Sequence, residues 1–74
     1  MKTFSCLEFG ERLKTLRQEK GVGQNRLAQD IEVSNASISY WETGKQAPSA
    51  EAVFKLANYF SVSADFLLGL TDWE

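Results

Sequence analysis

The sequence predicts an all-α fold, a compact bundle of five helices. Three observations carry that prediction. Apolar residues recur at three- and four-residue spacing, as in Phe9, Leu13 and Leu16, and again in Val53, Leu56, Ala57 and Phe60. Serines stand where helices should start, at Ser5, Ser34, Ser49 and Ser63. The single proline, Pro48, falls between two runs, and no stretch reads as a strand.

The first helix opens with Ser5 and Glu8 in the S-x-x-E spacing of a capping box, flanked by Phe4 and Phe9 as a hydrophobic staple. It should end at Lys20-Gly21, a cation in the last turn followed by a glycine cap. A short second helix runs from Gln24 to Ile31, with Leu27, Ala28 and Ile31 inward and Gly23 as a weak N-cap. The turn Glu32-Val33-Ser34 leads directly to a third helix, from Asn35 to about Thr43, closed by Gly44. On it Ile38 and Trp41 share one side, while Asn35, Ala36, Ser39, Tyr40 and Thr43 share the other. Pro48-Ser49 starts the fourth helix. Ser63 caps a fifth, whose apolar residues are Phe66, Leu67 and Leu70.

At 74 residues the chain forms one domain at most, with its core over about residues 9–70. Its only cysteine, Cys6, can form no internal disulfide and reads as an ordinary thiol on the first helix. One unpaired cysteine, no signal-peptide pattern and no membrane-length apolar run fit a cytoplasmic protein. Histidine is absent, so neither a thiolate–imidazole metal site nor a Ser–His or Cys–His catalytic pair is available. No enzyme, metal or cofactor is expected.

The formal charge is −2, which by itself argues mildly against a nucleic-acid partner. The distribution argues otherwise. Lys2, Arg12, Lys14, Arg17, Lys20, Arg26 and Lys45 all lie in the first two-thirds of the chain, and only Lys55 follows. An anionic partner should meet that first part.

Two short helices joined by a three-residue turn form the pattern of a helix-turn-helix. In that motif the second helix lies in the DNA major groove, so its outer face must be narrow and able to hydrogen-bond. Its inner face needs bulky anchors. The third helix meets both demands, with Asn35, Ala36, Ser39 and Tyr40 outside and Ile38 and Trp41 inside.

The runs FGERLKTLRQEKGVGQNRLAQDI, VSNASISYWETGKQAPS and LANYFSVSADFLLG fall in one register. Residues 9–70 thereby resemble the Cro/phage-repressor family of helix-turn-helix regulators, also called the xenobiotic-response-element family, whose domains are lambda-repressor-like. The resemblance implies double-stranded DNA as partner and a homodimer acting as a transcriptional repressor on a palindromic operator, in a prophage or bacterial setting. It places Gln24 against phosphate and nearby bases, and Ser34, Asn35, Ala36, Ser39 and Tyr40 toward the groove. Thr43, Gly44 and Lys45 fall in the loop set against the backbone. Asn35 could bond an adenine edge and Ala36 a thymine methyl. The resemblance also makes Arg17 and Glu42 an internal salt bridge.

Three positions depart from the family pattern: Glu32 and Ser61 stand where glycine is common, and Gly23 replaces a serine-type cap. Together they predict modest stability. The third helix carries no arginine or lysine. Attraction to phosphate then rests on Lys45, Arg26 and helix N-termini, with Lys14, Lys20 and Arg12 either solvated or added to that set. Few neutralised phosphates mean weak binding per monomer, so dimerisation should supply affinity. Phe54, Tyr59, Leu67 and Trp73 are the candidate dimer surface; scattered exposed aromatics are the plainer account of the three that are aromatic. Two other uses of the motif remain open, an antitoxin clamping a toxin and a module that binds another protein such as an anti-repressor.

Overall fold

A computed structural model describes all residues, 1–74, as five helices without strands. The helices are α1 (Cys6–Lys20), α2 (Gln24–Ile31), α3 (Asn35–Glu42), α4 (Ala50–Phe60) and α5 (Ala64–Leu68). Four of the five starts are closed by a serine hydroxyl. Ser5, Ser34, Ser49 and Ser63 accept from the backbone N–H groups of Glu8, Ser37, Ala52 and Phe66 at 3.0–3.1 Å. Only α2, behind Gly23, has no side-chain cap.

The capping box of α1 is half made. Ser5 caps Glu8, but the Glu8 carboxylate turns along the helix toward Arg12, 3.7 Å away, instead of back to the Ser5 N–H. The staple forms, with the Phe4 and Phe9 rings 6.2 Å apart. At the other end Gly21 takes the left-handed conformation, and the Val22 N–H donates to the Arg17 carbonyl.

One core of twelve buried side chains joins all five helices. Phe9, Leu13 and Leu16 come from α1, Leu27, Ala28 and Ile31 from α2, Ile38 and Trp41 from α3. Ala52, Val53 and Leu56 of α4 and Leu67 of α5 complete it. Leu67 is fully buried, so it cannot belong to a dimer surface: α5 is a single turn and a half that spends its one inward position on the core. Leu70 goes the other way. The helix stops at Leu68 with Gly69 in the left-handed region, which turns Leu70 outward and leaves it exposed.

Gly10 sets how closely α1 and α3 approach. A Cβ there would lie 2.7 Å from the Glu42 carbonyl oxygen and closer still to that of Trp41. The missing side chain lets the C-terminal end of α3 rest directly on α1. Both chain ends hydrogen-bond to residues that flank α5. Lys2 Nζ donates to the Leu70 carbonyl at 3.2 Å, while the Ser63 N–H donates to Glu74 O at 2.7 Å.

Candidate nucleic-acid interface

The geometry of the interface begins in the turn between α2 and α3. Glu32 ends α2 at φ 61°, ψ 50°, the left-handed region that costs a side-chain-bearing residue and favours glycine. That conformation brings the Val33 N–H to the Ala28 carbonyl at 2.9 Å and turns Val33 onto the core. Ser34 then starts α3, and the two helices leave the turn in a fixed relation.

On α3 the inner side is anchored by Ile38 and Trp41, both buried. The opposite side presents Asn35 and Ala36 exposed to solvent, Ser39 partly exposed, and Tyr40 at 44% exposure. The side chains of Asn35, Ser39 and Tyr40 make no hydrogen bond within the chain, so their polar groups are free for a ligand. Lys45, exposed in the following loop, likewise has no carboxylate partner.

The remaining site residues are internally engaged. The Ser34 hydroxyl caps its own helix, and the Thr43 hydroxyl donates back to the Ser39 carbonyl at 2.9 Å. Arg26 Nε donates to both oxygens of Asp30 at 3.0 Å, one turn along α2. Its guanidinium stays largely exposed, so the contact leaves the outer nitrogens free. Gln24 Nε2 donates to Glu42 Oε1 at 3.0 Å.

Beneath the interface Arg17 of α1 grips Glu42 of α3. Arg17 Nε donates to Oε2 at 2.6 Å and Nη2 to Oε1 at 3.0 Å, while Nη1 donates to the Val22 carbonyl at 3.0 Å. The side chain of Glu42 is only 3% exposed. Hydrogen bonding to Glu42 raises the guanidinium's pKa further, against the burial that opposes it. With Gln24 included, one carboxylate ties α1, α2 and α3 together at the base of the motif.

A second polar cluster joins α2 to α4. The Tyr59 hydroxyl donates to Asp30 Oδ2 at 2.7 Å, and Lys20 Nζ lies 4.8 Å from the centre of the Tyr59 ring. The Tyr59 hydrogen bond, followed by Arg26, holds the Asp30 carboxyl below the usual carboxylate range. The same bond raises the Tyr59 phenol. Tyr59 is thus half-buried and occupied, unlike Phe54 and Trp73, which stand 71% and 83% exposed.

Sequence reasoning missed Asp30, the Gln24–Glu42 bond and the Tyr59 anchor. Arg26 and Asp30 did carry a signal, opposite charges four residues apart on one helix. Tyr59 and Asp30 are 29 residues apart, and nothing local marks them as partners.

An all-α chain with a short polar-faced helix held across a tight turn from its predecessor defines the class of helix-turn-helix domains. Residues 13–67 match the helix-turn-helix family, and the chain belongs to that family, in its Cro/phage-repressor branch. It is 42% identical over 62 residues to the HTH-type transcriptional activator BcrR of Enterococcus faecalis, covering 84% of this chain and 30% of BcrR. It is also 42% identical over 60 residues to YonR, an SPbeta prophage-derived HTH-type transcriptional regulator of Bacillus subtilis, covering 81% of this chain and 56% of YonR. The chain therefore spans about a third to somewhat over half of these relatives' length. Among solved structures, the P22 c2 repressor in complex with a synthetic operator superposes with a TM-score of 0.78 at 33% identity. That match covers 81% of this chain and 91% of the solved repressor chain. These proteins are regulators rather than enzymes. No helix of the chain is long and apolar enough to cross a membrane.

Proposed function

We propose that this chain binds duplex DNA sequence-specifically as a homodimer, placing α3 of each protomer in the major groove of a two-fold-symmetric operator, and represses transcription there. The observation that carries this reading is the free outer face of α3. Asn35, Ser39 and Tyr40 are exposed with no internal hydrogen bonds, while Ile38 and Trp41 fix the helix from below. Such a face, small and polar with rigid support, suits base edges.

The division between free and engaged groups sorts the contacts. Asn35, Ala36, Ser39 and Tyr40 read bases. Lys45, the outer nitrogens of Arg26 and the uncapped N-terminus of α2 meet phosphates. Ser34 and Thr43 act by shaping α3, and Gln24 works from the edge of the interface. With α3 itself uncharged, a dimer supplies affinity that one protomer lacks. Of the candidate residues Phe54, Tyr59, Leu67 and Trp73, the exposed Phe54 and Trp73 are the ones left to take part in that pairing. Repression agrees with the repressor relative; activation is the second reading, favoured by BcrR. A cytoplasmic setting fits either reading.

Selection of bound sequences from a random duplex pool tests the reading. An enriched site with two-fold symmetry is the expected result. Enrichment of no sequence at low salt overturns it.

A further inference from the structure

Arg26 is the only cation within the helix-turn-helix, residues 24–42, and it carries its own anion. Its Nε donates to both carboxylate oxygens of Asp30 at 3.0 Å. An exposed ion pair one turn apart on a helix is ordinarily loose and worth little. This one is braced from two other helices. The Tyr59 hydroxyl of α4 donates to Asp30 Oδ2 at 2.7 Å, and Lys20 Nζ of α1 lies 4.8 Å from the centre of the Tyr59 ring. The Asp30 side chain is 28% exposed against 69% for Arg26, so the anion is the fixed partner and the cation the reachable one.

Hydrogen-bonding capacity and charge separate at this pair. Only Nε is engaged, so Arg26 keeps its Nη1 and Nη2 donors for phosphate oxygens. Its charge is already compensated at 3.0 Å, well inside the screening length of about 8–10 Å. A phosphate that meets the guanidinium meets the carboxylate as well and gains little net attraction. Lys45 has no such partner and keeps its full charge. We propose that Asp30, braced by Tyr59, is an affinity-limiting residue: it compensates Arg26, which then orients a phosphate by hydrogen bonds while adding almost nothing to electrostatic binding. Electrostatic binding is the part that ignores sequence, so the restraint falls on unrelated DNA as much as on an operator. The proposal rests on the DNA-binding reading above.

The test is fluorescence anisotropy across a salt series, on the selected operator and on an unrelated duplex. Wild type is compared with Lys45→Ala, Arg26→Ala, Asp30→Asn and the double variant at Arg26 and Asp30. Lys45→Ala should lower the salt slope by about one per protomer, whereas Arg26→Ala should weaken binding and leave the slope almost unchanged. Asp30→Asn should tighten both duplexes by about 3- to 10-fold near physiological salt and steepen the slope by about one per protomer. In the Arg26→Ala background that gain should largely vanish. A slope loss from Arg26→Ala as large as that from Lys45→Ala would show that DNA frees Arg26 from Asp30, and overturns the proposal. An equal gain from Asp30→Asn with and without Arg26, the mark of plain long-range repulsion, overturns it as well.

The brace itself is read in the free protein by NMR of the arginine side chains. In wild type the Arg26 Nε–H should be shifted and slow to exchange relative to that of Arg12, which meets Glu8 only at 3.7 Å. Tyr59→Phe should move the Arg26 signal toward that of Arg12. An Arg26 signal already like that of Arg12 in wild type overturns the proposal. Failure of wild type to bind any duplex sinks the DNA-binding reading and the proposal with it; an intact brace then marks that reading as the part that failed.

Discussion

Replacing Glu32 by glycine should stabilise the protein, because the helix-turn-helix is built across a residue held in the left-handed region. Glu32 sits at φ 61°, ψ 50°. For a residue with a Cβ this conformation costs roughly 1–2 kcal/mol. Glycine removes that cost but adds about 0.4–1 kcal/mol of chain entropy to the unfolded state. No contact is lost, since the Glu32 side chain is exposed and neither hydrogen-bonds nor pairs with a cation. The net gain is about 1 kcal/mol, which for a domain of this size raises Tm by about 4–8 °C. Thermal unfolding followed by circular dichroism measures it. Two companions fix the interpretation. Ser61→Gly, at φ 56°, should move Tm the same way. Gly21→Ala, at φ 75° with nothing within 4 Å of the added methyl, should lower it through backbone strain alone. A lower Tm for Glu32→Gly would refute the reasoning about the turn.

Other perturbations separate packing, recognition and electrostatics. Gly10→Ala adds a methyl against the Trp41 and Glu42 carbonyls and should destabilise by about 1–2 kcal/mol, despite alanine's helix preference; an unchanged denaturant midpoint would contradict the close approach. Asn35→Ala should cost about 1–3 kcal/mol on one base pair per half-site, as read by binding to substituted operators. Lys45→Ala should weaken every duplex alike and reduce the salt slope by about one. Equal, salt-independent losses from these two variants would mean that both act through stability. Tyr59→Phe should raise the Asp30 midpoint, measured by carboxyl NMR, toward the ordinary carboxylate range. Because folding lowers the Asp30 pKa, its contribution is complete above the unfolded value and lost as pH falls through the folded one. A midpoint that ignores the tyrosine would show that Arg26 and Lys20 hold it down without it.

The helices were legible in the sequence because their signals are local. Serine caps at Ser5, Ser34, Ser49 and Ser63, glycine stops at Gly21 and Gly69, and inward spacing such as Phe9-Leu13-Leu16 all act within a few residues. The strained turn was legible only through the family resemblance, in which glycine is common where Glu32 stands at φ 61°. Residues whose roles depend on distant parts of the chain were harder to read. Gly10 looks like a weak point in a helix until α3 is laid across it. Leu67 looked as available as Phe54, because a five-residue helix shows too few positions to establish an inner face. Glu8 had the spacing for a reciprocal cap, but Arg12, four residues on, competes for the same carboxylate. For the interface, exposure of the outer face of α3 followed from periodicity. The internal engagement of Gln24, Thr43 and Arg26 did not, because the geometry of the folded side chains decides it.

The central claim is that α3 reads DNA from a two-fold dimer that neutralises few phosphates. Its most direct test is a salt titration of binding to the selected duplex, with the number of protomers per duplex determined by sedimentation. The account predicts two protomers per site and a logarithmic affinity that falls linearly, with a shallow slope, as salt rises. No retention of duplex DNA at low salt, or saturation by one protomer without base preference, would contradict it.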